Sequence, residues 1–265
     1  MIKAQNLKFR YRGAHENALN GVSLTVKTGE CVALVGKNGS GKSTLGRILA
    51  GLTRFRVGEV TVDGHKPSNQ PIGIVFQNPE NQIIFSDIRD ELSFALQTFS
   101  PSEIDSRIDS ALRQVDMLEF KKRNLYELSL GQKQRIMIAE ALAINAKYLI
   151  LDEPTTMIDS AGKDKIHTII RDLKNQGCTI LLLTNAADEI LLADRTLVLE
   201  SGRIIAEIPR SRLLDQADFL RQHGLVLPTI LQIAEALQKS NIDLELKDFT
   251  ITELSHTLIN KIHHD

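Results

Sequence analysis

Apolar residues follow two periodicities along this chain, and these periodicities predict its strands and helices. The first thirty residues alternate between apolar and polar, which predicts antiparallel strands at Ala4–Tyr11 and Val22–Val26 before a turn at Thr28–Gly29. A further short strand and turn are expected at Gly58–Gly64. Continuous apolar runs, typical of strands buried on both faces, occur at Cys31–Val35, Ile72–Phe76, Tyr148–Leu151 and Cys178–Leu183. Leu197–Glu200 and Arg203–Ile208 predict a closing hairpin around Ser201-Gly202.

Helical periodicity interrupts these strands from about residue 86 to 146 and returns after Pro209. Ser100 and Glu103 form a capping box with proline at the first helical position, and Thr250 and Glu253 form a second one. The pattern predicts an α/β domain at 1–210 with an antiparallel β-subdomain and a helical insert. Residues 211–265 are expected to form a small helical appendage for dimer or partner contact.

Composition and charge narrow the possible functions. The 265 residues carry 32 Lys and Arg against 33 Asp and Glu, so no global positive field favours nucleic acid as a partner. The N-terminus lacks the apolar core of a signal peptide, and no run reaches the length of a membrane span. Cys31 and Cys178 have no metal-site spacing and are predicted to be reduced core residues of a cytoplasmic protein. The scattered histidines, with His263 and His264 at the end, predict no cobalt or nickel site.

A glycine-rich motif follows the Cys31–Val35 strand and predicts a phosphate-binding loop. It matches G-x-x-x-x-G-K-[ST], in which glycines let successive N–H groups point at phosphate oxygens and the next helix adds its positive end. Lys42 is expected to reach the β- and γ-phosphates of a bound nucleotide, and the Ser43 hydroxyl is expected to ligate Mg²⁺. The alternative is an ordinary glycine-rich turn. The predicted ATP-binding residues here are Gly36, Asn38, Gly39, Ser40, Gly41, Lys42, Ser43 and Thr44.

An acidic pair ends the Tyr148–Leu151 strand and predicts the metal ligand and the catalytic base. A carboxylate at the carboxyl edge of a parallel sheet lies beside the phosphate loop, which suits Asp152 to Mg²⁺. Glu153 is then placed to orient the attacking water or accept its proton. The alternative is a strand that ends in an acidic helix cap.

The segment Leu128-Ser129-Leu130-Gly131-Gln132 provides the resemblance to a family. With the phosphate loop before it and the acidic pair after it, the chain resembles the ATP-binding-cassette (ABC) family over roughly residues 1–210. The resemblance implies a P-loop NTPase fold of the ABC type. It also implies that Ser129, Leu130, Gly131 and Gln132 complete the ATP site of another subunit. Without the neighbouring motifs, Ser129 would be only a helix N-cap.

Three further residues acquire roles through the resemblance. Tyr11 is similar to the aromatic on which adenine stacks, although half-buried packing would also explain it. Gln77 resembles the glutamine that contacts Mg²⁺ and senses the membrane partner, although a polar strand end is the simpler explanation. Asp159 matches the acid that contacts the opposite subunit.

Two positions depart from the family pattern. Asn185 stands where the family has a histidine that bonds the γ-phosphate, and an amide carries no positive charge. We therefore hypothesise slow hydrolysis at the site built on this chain's own loop. Leu130 stands where the first signature glycine is usual. Because the two departures fall in different composite sites, a heterodimer with a second ABC ATPase is favoured over a homodimer.

The stretch Gln77-Asn78-Pro79-Glu80-Asn81-Gln82 indicates one subgroup within the ABC family, although an Asn-Pro turn would also explain the stretch. It is similar to the ATPases of energy-coupling-factor importers of vitamins or nickel and cobalt ions. That resemblance implies a transmembrane scaffold, a substrate-binding membrane protein and a peripheral position on the cytoplasmic face of the membrane. The alternative is a soluble regulatory or repair ATPase. A small-molecule kinase is a third possibility, but it gives no role to Leu128–Gln132.

Overall fold

The strands form two sheets, as the alternation and the continuous runs predict. A computed structural model describes residues 1–240, 242, 246 and 249–262, with side chains as far as 259. The antiparallel sheet has the order β2-β1-β4, and the six-stranded sheet has the order β5-β6-β7-β3-β8-β9, in which only β9 is antiparallel. The strands are β1 (Ile2–Phe9), β2 (Leu19–Val26), β3 (Cys31–Val35), β4 (Val57–Val62), β5 (Ile72–Val75), β6 (Tyr148–Asp152), β7 (Thr179–Leu183), β8 (Arg195–Glu200) and β9 (Arg203–Pro209).

The helices occupy the predicted stretches, and the capping boxes begin two of them. Glu103 accepts hydrogen bonds from the Ser100 amide and hydroxyl, and the Glu253 amide donates to the Thr250 hydroxyl. The helices are α1 (Lys42–Leu49), α2 (Ile88–Phe94), α3 (Pro101–Gln114), α4 (Leu130–Ala143), α5 (Ser160–Asn175), α6 (Ala217–Gln222), α7 (Thr229–Lys239) and α8 (Ile251–Ile262). His263, His264 and part of the predicted appendage lie outside the described residues.

The six-stranded sheet separates two apolar cores because its side chains alternate between faces. Val32 and Leu34 of β3 face the antiparallel sheet and α1, whereas Cys31 and Ala33 face α4, α5 and the helical insert. The second core continues into the C-terminal helices through Leu220 and Leu231, among others. The α/β fold with an antiparallel subdomain, a helical insert and C-terminal helices agrees with the sequence prediction.

Predicted strand limits differ from the observed ones by one to three residues at several ends, and two of these differences concern Tyr11 and Cys178. β1 pairs only as far as Phe9, opposite Leu19, so Tyr11 lies beyond the strand in a turn closed by the Ala14 amide and the Tyr11 carbonyl. β7 begins at Thr179, and Cys178 is only partly buried because it lies in the link from α5. Cys31 is fully buried, and both cysteines are free thiols.

Candidate functional site

The phosphate loop, residues 36–44, connects β3 to α1 at the carboxyl edge of the six-stranded sheet. Two of its glycines are required because the backbone of neighbouring segments lies close to them. A Cβ on Gly36 would lie 2.1 Å from the Leu199 carbonyl oxygen of β8, and one on Gly41 would lie 2.5 Å from the Ala18 carbonyl oxygen. Gly41 also has a φ of 109°, in a region that side chains disfavour. The loop is therefore held against the hairpins on either side of it.

The Lys42 ammonium lies inside this loop. Its Nζ donates a 2.6 Å hydrogen bond to the Gly36 carbonyl, and the side chain is buried. Burial lowers the pKa of Lys42, while the carboxylates of Glu153 and Asp152 oppose that shift. A cation held between loop carbonyls and two carboxylates is suited to a polyanionic ligand.

Two hydroxyl side chains of the loop differ in their hydrogen bonding. The Ser40 hydroxyl is buried and has no partner among the described residues, which suits it to a phosphate oxygen. The Thr44 hydroxyl lies 2.9 Å from the Tyr11 hydroxyl, which ties the loop to the turn after β1. The Tyr11 ring is 46% exposed and packs edge-on against Phe9 with its centroid 4.8 Å away. One face of the ring is thus available for stacking.

A pair of oxygen donors suited to Mg²⁺ lies where the loop meets β6. The Ser43 hydroxyl donates a 3.0 Å hydrogen bond to Oδ1 of Asp152. Burial raises the pKa of Asp152, and the Ser43 hydrogen bond partly offsets this. A hydroxyl and a carboxylate at the edge of a phosphate loop are hard oxygen ligands of the kind Mg²⁺ takes. In the described part of the chain, no group of three or more His, Cys, Asp or Glu side chains has the arrangement of a metal cluster.

Glu153 begins a strained turn after β6. Its φ is +48°, and its amide donates to the Leu183 carbonyl at 2.7 Å. Such a conformation in a non-glycine residue costs about 1–3 kcal/mol and persists only when the surroundings hold it. The Glu153 carboxylate accepts hydrogen bonds from Gln77 Nε2 at 2.8 Å and from the Thr156 hydroxyl at 3.1 Å.

Asn185 bridges the loop and the Glu153 turn. Its Nδ2 donates to Asn38 Oδ1 at 2.9 Å and lies 3.5 Å from Oε1 of Glu153. Its own Oδ1 is buried without a partner among the described residues. The structure thus brings Asn38, Gln77, Glu153 and Asn185, which are far apart in sequence, into one network.

The signature segment begins α4, and none of its hydrogen bonds reaches the phosphate loop. Ser129 caps the helix, and its amide donates to Gln132 Oε1 at 2.9 Å. Leu130 is the first helical residue and is partly exposed. Gly131 packs against the segment before α5, where an added Cβ would lie 3.0 Å from Ile158. Asp159 caps α5, with its Oδ1 accepting a 2.8 Å hydrogen bond from the Gly162 amide.

Sequence reasoning did not predict how α4 connects to the Gln77 segment. Lys133, whose side chain is buried, makes a 2.6 Å ion pair with Glu80, and Gln134 donates to the Phe76 carbonyl at 3.2 Å. Gln82 turns back to donate to the Ile74 carbonyl at 3.3 Å. The available signal was a run of polar residues, 132–135, at the start of an otherwise apolar helix.

Comparisons with known proteins agree with this geometry. A family model described as ABC transporter matches residues 19–156. The chain is 38% identical over 264 residues to the energy-coupling factor transporter ATP-binding protein EcfA1 of Ligilactobacillus salivarius, a match covering 96% of this chain and 94% of that protein. The protein of the same name from Bacillus subtilis is 38% identical over 261 residues, covering 94% of this chain and 93% of that protein.

Solved structures give the same result for the fold. The structure of cbiO1 from Clostridium perfringens, described as part of the ABC transporter complex cbiONQ, matches with a TM-score of 0.74 and 30% identity. That match covers 88% of this chain and 98% of cbiO1. The dimeric cassette MJ0796, in a post-hydrolysis state bound to ADP and Pi, matches with a TM-score of 0.72 and 29% identity over 79% of this chain and 99% of that chain. From its sequence, its two-sheet fold and its relatives, this chain belongs to the ABC transporter family of ATPases.

Proposed function

We propose that this protein is the ATP-hydrolysing subunit of an energy-coupling-factor importer. The observation that carries the proposal is the network of Lys42, Asp152, Glu153 and Asn185 around the phosphate loop, in a chain that resembles the EcfA1 proteins along nearly its whole length. Transport of a vitamin or of a nickel or cobalt ion is the function that this resemblance favours.

Each part of the site has a role in ATP binding. The loop amides, Ser40 and Lys42 bind the triphosphate, and the exposed face of Tyr11 stacks on adenine. Ser43, Asp152 and the Gln77 side-chain oxygen are the groups that would hold Mg²⁺. When bound, Mg²⁺ would neutralise charge on the phosphates.

Glu153 is the proposed catalytic base. Gln77 and Thr156 both hold its Oε2, which leaves Oε1 to orient the attacking water and accept its proton. Asn185 lies beside that oxygen and donates an amide hydrogen to the site, but it brings no positive charge to the developing γ-phosphate charge. We therefore expect this site to bind ATP well and to hydrolyse it slowly.

A second ABC ATPase completes each site. The hydrogen bonds between Ser129 and Gln132 are confined to the start of α4. Ser129, Leu130, Gly131 and Gln132 are proposed to address the nucleotide of the partner. Asp159 and the capped turn beside Gly131 are proposed to contact the same partner. In a heterodimer, the second ATPase is proposed to supply a better-matched signature segment to the site that contains Asn185. It is also proposed to supply a better-matched phosphate-loop half to the site that contains Leu130. The C-terminal helices and the link between α6 and α7, which expose Val226, Ile233 and Ile251, are proposed to provide a further dimer contact.

Membrane partners are proposed to bind near the Gln77 segment. Ile84, Phe85 and Phe94 are 62%, 36% and 48% exposed, and the two phenylalanine rings lie 5.6 Å apart, so they form an apolar patch for a scaffold helix. No helix among the described residues has the length and apolar character needed to cross a bilayer. The chain is proposed to act at the cytoplasmic face of the membrane, with a transmembrane scaffold and a substrate-binding membrane protein.

Purification of the intact complex tests the proposal. The tagged chain, expressed in its native cell and extracted with a mild detergent, should co-purify with a second ABC ATPase and an integral membrane scaffold. The complex should hydrolyse ATP, and Glu153→Gln should reduce the contribution of this subunit. Recovery of a soluble complex with no membrane protein would instead support a regulatory or repair ATPase.

A further inference from the structure

A buried polar cluster lies behind the Glu153 turn, and none of its members is hydrogen-bonded to the phosphate loop. Thr155 follows β6, His167 lies on α5, and Glu189 lies in the short 3-10 helix Ala187–Leu192. The three residues are 1%, 8% and 0% exposed. Three separate elements therefore place titratable and hydroxyl groups in an otherwise apolar interior.

The contacts within this cluster are few and specific. The Thr155 hydroxyl donates a 2.5 Å hydrogen bond to Oε1 of Glu189. His167 Nε2 lies 3.9 Å from the same oxygen. Neither His167 Nε2 nor Glu189 Oε2 has a hydrogen-bond partner among the described residues.

Fold stability alone does not account for this arrangement. Burying a carboxyl group costs free energy, and an apolar residue of similar size commonly stabilises such a site at least as well. A glutamate with one oxygen unpaired is therefore a poor stabilising element. Buried titratable groups of this kind are characteristic of functional sites.

The position of the cluster indicates which function it serves. Thr155 lies two residues after Glu153, and Glu189 lies four residues after Asn185. The Thr155–Glu189 hydrogen bond therefore joins the turn that carries the catalytic base to the segment that carries the γ-phosphate donor. Glu153 needs such support because its φ of +48° is strained.

We propose that Glu189 is a positioning residue, which sets the Glu153 carboxylate and the Asn185 amide relative to each other through its hydrogen bond with Thr155. This inference rests on the proposed ATP hydrolysis at Glu153. Loss of the hydrogen bond should leave ATP binding largely intact, because no hydrogen bond or ion pair among the described residues joins Thr155, His167 or Glu189 to the phosphate loop or to Tyr11. It misplaces the base, and a displacement of about 1 Å at a reacting group costs on the order of 100-fold in rate.

The test compares matched threonine variants in the purified complex, with the partner ATPase's own site inactivated so that kcat reports the site built on this chain's phosphate loop. Thr155→Val removes the hydroxyl and keeps the shape, and it should reduce kcat on the order of 10- to 100-fold with KM for ATP unchanged. Thr155→Ser should restore most of kcat. Thr196→Val is the control, because Thr196 is also fully buried and its hydroxyl has no partner, and kcat should not change. Glu189→Gln, which keeps an acceptor for Thr155, should lose less activity than Glu189→Ala.

The outcomes separate the two proposals. Unchanged kcat in Thr155→Val, or equal losses in Thr155→Val and Thr196→Val, would overturn the positioning role and leave the ATPase assignment intact. If Thr155→Val does not fold, equal kcat in Glu189→Gln and Glu189→Ala overturns it as well. Absence of ATP hydrolysis in the wild-type complex would overturn both proposals.

Discussion

Asn185 and Glu153 show how single residues set the chemistry of this site. Their side chains approach within 3.5 Å, and Asn185 also reaches Asn38 in the phosphate loop. An uncharged amide fills the geometry that an imidazole would fill, but it supplies a weaker interaction with developing negative charge. We therefore expect binding and turnover to be separable at this site.

Replacing Asn185 by histidine tests that separation. Because a charged hydrogen bond is stronger than a neutral one by roughly 1.4 kcal/mol, Asn185→His should raise the single-turnover rate on the order of tenfold. Asn185→Ala is the matched control and should not raise it. The rate is measured in the heterodimer with excess enzyme over ATP, and an unchanged rate in Asn185→His would contradict the hypothesis of slow turnover.

Residues in contiguous motifs were predictable from sequence, whereas long-range partners were not. Lys42 and Ser43 belong to one motif, so their spacing alone indicates a phosphate loop. The Thr155–Glu189 hydrogen bond joins residues 34 positions apart, and only tertiary packing shows it. The role of Tyr11 came from resemblance, and the structure shows that it lies outside the predicted strand because pairing ends at Phe9.

At the scale of elements, α4 connects the signature segment to the strand edge at Gln77. Two of its polar residues are buried because they bind the Gln77 segment: Lys133 pairs with Glu80, and Gln134 binds the Phe76 carbonyl. Helix and strand types were predictable from periodicity, while the ends of strands depended on pairing partners. The buried polar face of α4 was not predictable, because its partners lie more than fifty residues earlier.

Glu140 at the end of this polar face is expected to make the stability of the helical insert depend on pH. Burial, with the nearby Glu91 carboxylate, raises the pKa of Glu140 from 4.5 to about 7. An acid whose pKa is raised by folding stabilises the fold below pH 4.5, and this stabilisation is lost as the pH rises through 7. Glu140→Gln should therefore increase the free energy of unfolding by about 3 kcal/mol at pH 8 and by little at pH 4.5.

Thermal unfolding at the two pH values measures this effect. Glu127→Gln, at an exposed glutamate of the same helical insert, is the control and should give no difference between the two pH values. A stability gain in Glu140→Gln that is equal at both pH values would mean that the carboxyl group does not titrate as proposed.

At the scale of the whole molecule, we propose that each chain carries half of two sites. The half-site on the phosphate loop includes Asn185, and the half-site on the signature segment includes Leu130. Among the described residues, no hydrogen bond joins these two half-sites within one chain. Changes at Asn185 should therefore affect one composite site, and changes at Leu130 should affect the other.

A double substitution in the heterodimer tests this division. Glu153→Gln removes hydrolysis at this chain's loop, so the remaining rate comes from the partner's site. Adding Leu130→Gly should then raise the remaining steady-state rate severalfold, because a glycine lets the helix N-terminus approach phosphate more closely. Leu118→Gly, at an exposed leucine elsewhere in the helical insert, is the control. An unchanged rate would indicate that Leu130 does not impair the partner's site.

The core that continues from the six-stranded sheet through Leu220 and Leu231 indicates that the described C-terminal helices pack as part of the cassette. We expect packing of this kind to couple the cassette to these helices, so that the free energy of nucleotide binding also stabilises them. A partner that binds the folded helices would likewise raise the free energy of unfolding of a phosphate loop that it never touches.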